Sequence, residues 1–261
     1  MTMGERSISV FFQFWLVFIW LADPIGASAA QSAESLIRTG DIYDRNSRPA
    51  NALEYYLPAQ KLKPDDAELL ARIARQYRHL MNDGQETRQN LRLGRISLAY
   101  ATRASELAPK DSEAQISPAI SYGKMMPYLG KREQVKASPL IKAAADRALA
   151  LDPRNDTAWH ILGRWNRVLA NVGAVKRALA GAIYGPLPET TNEMAEKCLK
   201  NAIAINPSRL MHYVELGRIY AQMGRVNDAR KFLSKGLSMP IREHDDPENK
   251  AIAQATLESL N

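Results

Sequence analysis

Three arginines stand directly behind small residues in helix-like stretches: Arg75 after Ala74, Arg164 after Gly163 and Arg218 after Gly217. A guanidinium is a planar fork of donors that matches a carboxylate or a phosphate. About one helical turn from these positions lie Arg72, Arg78, His79, His160 and Arg167, so the same stretches gather further basic groups. If the three stretches are equivalent parts of a repeating architecture, their guanidinium groups form a ladder able to hold an anion. The competing reading pairs these arginines with nearby acids, Glu68 and Glu215 among them, or leaves them solvated.

Other chemistry finds little support. The histidines His79, His160, His212 and His244 show no i, i+3 or i, i+4 pair, and no carboxylate cluster completes a ligand set, so neither a metal nor a cofactor is expected. Gly181 and Gly185 sit without a GxGxxG pattern or a GK[ST] ending, and there is no G-x-S-x-G elbow. The single cysteine, Cys198, excludes an intramolecular disulfide. Beside Leu199 and Ala202 it reads as buried packing. The expectation is a protein that catalyses nothing.

The elements that would position the arginines repeat. Four segments end alike: AQKLKP at Pro64, ASELAP at Pro109, ALALDP at Pro153 and AIAINP at Pro207. In each, an alanine (Ala59, Ala104, Ala148, Ala202) precedes the proline by five residues. This is the tail of a tetratricopeptide unit, where small residues let two antiparallel helices nest and proline stops the second one. The first unit is the fullest match, with Leu36, Gly40, Tyr43, Ala52, Tyr56, Ala59 and Pro64 in register. The pattern predicts an all-α superhelix of tetratricopeptide repeats over about 33–66, 67–111, 112–155, 156–209 and 210–243, closed by a capping helix at about 246–260.

The prolines are 45, 44 and 54 residues apart rather than 34, so the middle units carry insertions between their two helices. The first, about 82–93, reads as a polar loop. The second lies at about 125–138, with Ser138-Pro139 restarting a helix as cap and first turn. The third, about 171–191, contains a short helix ended by Gly185-Pro186, and Thr190 with Glu193 reads as the capping box of the next helix. Asp246-Pro247 would cap the last helix, whose Ala251, Ala255, Leu257 and Leu260 cover the open apolar end. Trp159 fits a core slot. Trp165 is expected to pack against the inserted helix, and the apolar run 178–184 there could line a lipid-sized pocket.

Residues 8–22 form an apolar run ended by Asp23-Pro24, and Ala27-Ser28-Ala29 follows as a small-x-small cleavage signature. Residues 1–29 therefore read as a signal peptide, with 30–261 the repeat domain and a periplasmic or secreted location. The alternative is a membrane anchor kept at the N-terminus. Cleavage removes one arginine and two acids, moving the net charge from +7 to +8. Such a balance attracts acidic partners: an acidic protein or peptide, or as the alternative an anionic lipid. Export argues against nucleic acid. Oligomeric state is not legible.

The run His160-Ile161-Leu162-Gly163-Arg164-Trp165, the turn Tyr184-Gly185-Pro186-Leu187-Pro188 and the helix Met194–Pro207 resemble the regulator of microtubule dynamics family. The resemblance covers roughly 67–241. It implies an all-α tetratricopeptide domain without enzymatic activity, associated with microtubules or with organelle membranes through an N-terminal anchor. This sequence departs from it at the N-terminus, where a cleavable-looking signal replaces the longer anchored region, so the fold carries over and the microtubule role does not. The positions where chaperone-binding tetratricopeptides place clamp asparagines hold Arg75, Arg164 and Arg218.

Overall fold

A computed structural model describes residues 32–83 and 86–260; the expected signal peptide lies outside them. Among the described residues the secondary structure is entirely helical. Twelve α-helices follow in order: α1 (Ala33–Arg45), α2 (Pro49–Leu62), α3 (Ala67–Asp83), α4 (Thr87–Leu107), α5 (Ser112–Met125), α6 (Lys131–Leu151), α7 (Asp156–Ala170), α8 (Ala174–Tyr184), α9 (Asn192–Ile205), α10 (Leu210–Gln222), α11 (Val226–Ser238) and α12 (Asp246–Glu258). No described helix is long and apolar enough to cross a membrane.

The repeated alanine–proline spacing acts the same way each time. Ala59, Ala104, Ala148 and Ala202 are all fully buried. Each also accepts the last helical hydrogen bond, from the N–H of Lys63, Ala108, Asp152 or Asn206. The next residue is proline in every case. It donates no N–H and disfavours helix in the residue before it, so the second helix of each pair ends at one register. Small residues on the first helix let its partner close in. A Cβ on Gly40 would overlap Tyr56, on Gly163 Leu199 and on Gly217 Leu233.

These contacts pair α1 with α2, α3 with α4, α5 with α6, α7 with α9 and α10 with α11, with α8 inserted in the fourth pair. The first helices of successive pairs also touch, α3 on α5, α5 on α7 and α7 on α10, so the pairs stack into an α–α superhelix. Its apolar interior forms three clusters: one around Leu53, Tyr56 and Ile73, one around Met81, Met125 and Leu129, and a large one from Ile116 to Ala253.

Several local expectations are corrected. The first insertion is not a loop: α4 starts at Thr87, because Leu91 and Leu93 pack on the Met81–Met125 cluster and packing outweighs their polar neighbours. The third pair's second helix starts at Lys131, where the Glu133 carboxylate takes the Gly130 N–H at 3.3 Å. Ser138-Pro139 then lies inside the helix. The proline forfeits one backbone bond, and Ser138 serves α7 instead. The cap of α9 is Thr191, whose Oγ1 accepts from Met194 N at 3.1 Å, while Thr190 Oγ1 is buried with no bond among the described residues. Asp246 does not cap α12; its carboxylate accepts from the backbone N–H of Arg242 and Glu243, both at 2.8 Å. Helix α12 still covers α10 and α11, through Ile252, Ala253, Leu257 and Leu260, with Ala251 and Ala255 exposed.

Candidate binding site

The eight basic groups singled out by spacing fall into two sets rather than one continuous ladder. In the first, Arg72 of α3 donates to both oxygens of Asp41, at 2.9 Å each, and to Glu68. Arg75 pairs with Asp44. Arg78 is buried and donates to Ser117 Oγ and Ser121 Oγ on α5, at 3.3 and 3.2 Å. Burial pushes its guanidinium down to about 10, with the Arg75 charge adding and the Asp245 carboxylate opposing. His79 stacks on His244, ring centres 4.3 Å apart. Burial, with the second imidazole beside it, pushes His79 down to about 3, so it is neutral at physiological pH.

The second set surrounds Glu215 of α10, which is 5% exposed. Arg167 reaches one carboxylate oxygen and Arg218 the other, the latter at 2.9 Å. Burial alone would raise this carboxyl, but the charges of Arg167, Arg218 and Arg164 bring it down to about 2. Arg167 also donates to Gln222 at 2.8 Å. Beside them, His160 Nδ1 lies 3.1 Å from His212 Nδ1, and His212 Nε2 lies 2.9 Å from Asp156. Burial holds both imidazoles below the usual histidine range, although Asp156 pulls His212 the other way. Arg209 completes the chain, donating to Asp156 at 2.7 Å and, as a fork, to Glu243 at 2.7 and 2.9 Å.

Arg164 differs from the other arginines: it makes no hydrogen bond or ion pair with the described residues. It lines a groove of about 780 Å³ between α5, α6, α7 and α8. The floor is apolar, from Met126, Val135, Ile141, Ile161, Trp165 and Val168 to Leu179 and Ile183 of α8. Lys131, Arg132 and Lys176 stand with Arg164 on its lining. Trp165 is 7% exposed, and its indole N–H is held by Ser138, at 3.1 Å to the carbonyl and 3.0 Å to Oγ. Across the groove, Leu179 and Ile183 keep 62% and 61% of their surface in water. Helix α8 is pinned from behind, where Arg177 donates to the carbonyls of Leu169, Leu187 and Pro188. Gly185 (φ 88°) then turns the chain away in a conformation that suits glycine.

A family model described as Regulator of microtubule dynamics protein 1-3 matches residues 32–261. The chain belongs to the regulator of microtubule dynamics family. A Bos taurus Regulator of microtubule dynamics protein 1 is 26% identical over 209 residues, 79% of this chain and 66% of the relative. A Caenorhabditis elegans Regulator of microtubule dynamics protein 1 is 26% identical over 181 residues, 69% of this chain and 79% of that one. The chain thus spans just under two thirds of the bovine relative. Among solved structures, a thermophilic TPR protein of Thermus thermophilus superposes with a TM-score of 0.61 at 19% identity, covering 86% of this chain and all of that one. This likeness speaks for the fold.

Within this family member, spacing found Arg164 and the apolar run of α8 but not their meeting with α5 and α6. The lining residues Met126, Lys131 and Arg132 lie in what reads from sequence as an insertion. The two histidine pairs were also missed, since His160 and His212 are 52 positions apart and only the superhelix joins them. Among the described residues, no three His, Cys, Asp or Glu side chains group as a metal site. Cys198 is buried, and burial raises its thiol pKa, which suits packing.

Proposed function

We propose that this chain is a non-catalytic binding scaffold whose ligand is an anionic amphiphile, held in the α5–α8 groove. The observation that carries this reading is the position of Arg164: a cation without an internal partner, on the lining of an apolar trough with three more cations beside it. A pocket that is mostly apolar with a few convergent polar groups is the usual form of a small-molecule site. An acyl chain would lie over Trp165, Ile161 and Ile141 against Leu179 and Ile183, regaining the apolar burial that those exposed side chains lack. The headgroup phosphate or carboxylate would meet Arg164 and Lys176. This is the lipid alternative of the sequence reading; the arginines that argued for a peptide ladder mostly have acids or hydroxyls of their own.

The test is capture of a fluorescent phosphatidic acid by the purified full chain, with diacylglycerol as the uncharged control. Saturable binding of the anionic lipid is expected, with Arg164→Ala/Lys176→Ala weakening it by about tenfold, the effect of losing one charge-assisted contact. Equal binding by the double variant, or displacement of the lipid by an acidic amphipathic peptide but by no lipid, overturns the reading.

A further inference from the structure

Between α11 and α12 the chain makes an irregular passage, residues 239–245. Capping the apolar end of the superhelix requires only the inner face of α12, where Ile252, Ala253, Leu257 and Leu260 pack. The passage and the start of α12 make a different set of contacts. His244 lies flat on His79 of α3. Asp245 and Glu248 reach Lys124 of α5 at 3.1 and 2.8 Å. Glu243 forks onto Arg209, the residue before α10, at 2.7 and 2.9 Å. The turn is kept taut by Asp246, which binds the N–H groups of Arg242 and Glu243.

These receptors share one origin. Helices α3, α5 and α10 are the first members of the second, third and fifth pairs, and the first helices line the inner face of such a superhelix. Residues 241–248 therefore run as a strap along that face, from the start of α10 to the later parts of α5 and α3. The strap reads Ile-Arg-Glu-His-Asp-Asp-Pro-Glu, with four carboxylates in eight residues. Its ionic contacts land on cations, Lys124 and Arg209, and Arg78 lies within the field of Asp245. Chemically it is an acidic peptide in a basic seat.

We propose that residues 241–248 are a tethered occupant of an acidic-peptide site on the inner face, and that a partner protein presenting an extended acidic segment binds there by displacing them. The seat uses Arg78, His79, Lys124 and Arg209, so it is separate from the α5–α8 groove and stands or falls independently of the amphiphile. A short tether gives the strap an effective concentration in the millimolar range, about 1 mM, so a free peptide of equal intrinsic affinity competes poorly until the strap is loosened. The partner chemistry is defined by what the strap supplies: carboxylates spaced to meet Lys124 and Arg209, around a flat ring to lie on His79.

The experiment uses the full chain and a fluorescein-labelled synthetic peptide of residues 241–249. In the variant His244→Ala/Asp245→Ala/Glu248→Ala, the peptide is expected to bind at least about tenfold more tightly than to the unaltered chain, as loss of an intramolecular competitor requires. Adding Lys124→Ala should remove the gain, and a peptide with its acids replaced by their amides should not bind. A second arm reads the unaltered chain by hydrogen exchange: millimolar peptide should speed exchange of residues 241–249 while α12 beyond residue 250 stays protected. If the triple variant keeps its helical circular dichroism yet binds no better, or if saturating peptide leaves exchange of the strap unchanged, the strap is a structural tie and the proposal is wrong.

Discussion

On the side of α7 that meets α10, charged groups answer one another: Arg167 and Arg218 share Glu215, and His160, His212, Asp156 and Arg209 follow in a chain. On the side that meets α6 and α8, Arg164 has no such answer, and Leu179 and Ile183 face water across an open trough. The same helix thus carries a completed seam and an uncompleted one. A buried charge left alone costs several kcal/mol, so the first seam must be satisfied internally for the superhelix to hold. An exposed cation beside an apolar trough costs little, and it is where a ligand gains most. Spacing assigned one role to Arg164, Arg167 and Arg218; their surroundings divide them.

The sharpest way to break this contrast is Glu215→Ala. It strands Arg167 and Arg218 in a seam where Arg167 keeps only 12% of its side chain exposed. The expected loss is about 3–5 kcal/mol of unfolding free energy, read by chemical denaturation. A loss below about 1 kcal/mol would show that the seam is not held by its charges.

Acid should act on the seam next. His160, His212 and His79 all have folded-state pKa values lowered, with burial as the largest cause. The unfolded chain therefore takes up protons, below about pH 6.5, that the folded chain refuses. Stability is fully present above that pH and falls as the pH drops below it, by up to about 1.4 kcal/mol per pH unit for each histidine that stays neutral. A thermal midpoint unchanged between pH 7.5 and 5.5, or one that rises on acidification, contradicts this assignment. The smallest effect is expected at the other edge of α7: Arg164→Ala should alter unfolding free energy by no more than about 0.5 kcal/mol, as for other substitutions outside buried networks. A larger loss would mean that Arg164 serves the fold, and the distinction between the two seams would vanish.

The fold was legible in the sequence because it depends on local spacing. Ala59, Ala104, Ala148 and Ala202 with their following prolines set helix ends by geometry that needs no distant partner. Gly163 is readable as a close approach, and Leu199 is what approaches it. Failures came where a remote contact outbid a local signal. Ser138-Pro139 has the form of a helix start, yet Trp165 on another helix claims Ser138 and the helix runs through. The arginine partners were half legible: Glu68 lies four residues from Arg72, but Glu215 lies 48 positions from Arg167. The strap was invisible, since Asp246-Pro247 looks like an ordinary cap and no local pattern announces Lys124 as the target of Glu248.

The strap also bears on how the molecule is made. A stacked repeat array grows by contacts between neighbours and can mature while it is being synthesised. Here Lys124 waits for Glu248, 124 positions later. Contacts of such long reach form late, because the intervening chain must be ordered first. Throughout that interval the nascent chain displays a bare cationic channel, which acquires its own stopper only when the codons for residues 243–248 have been read.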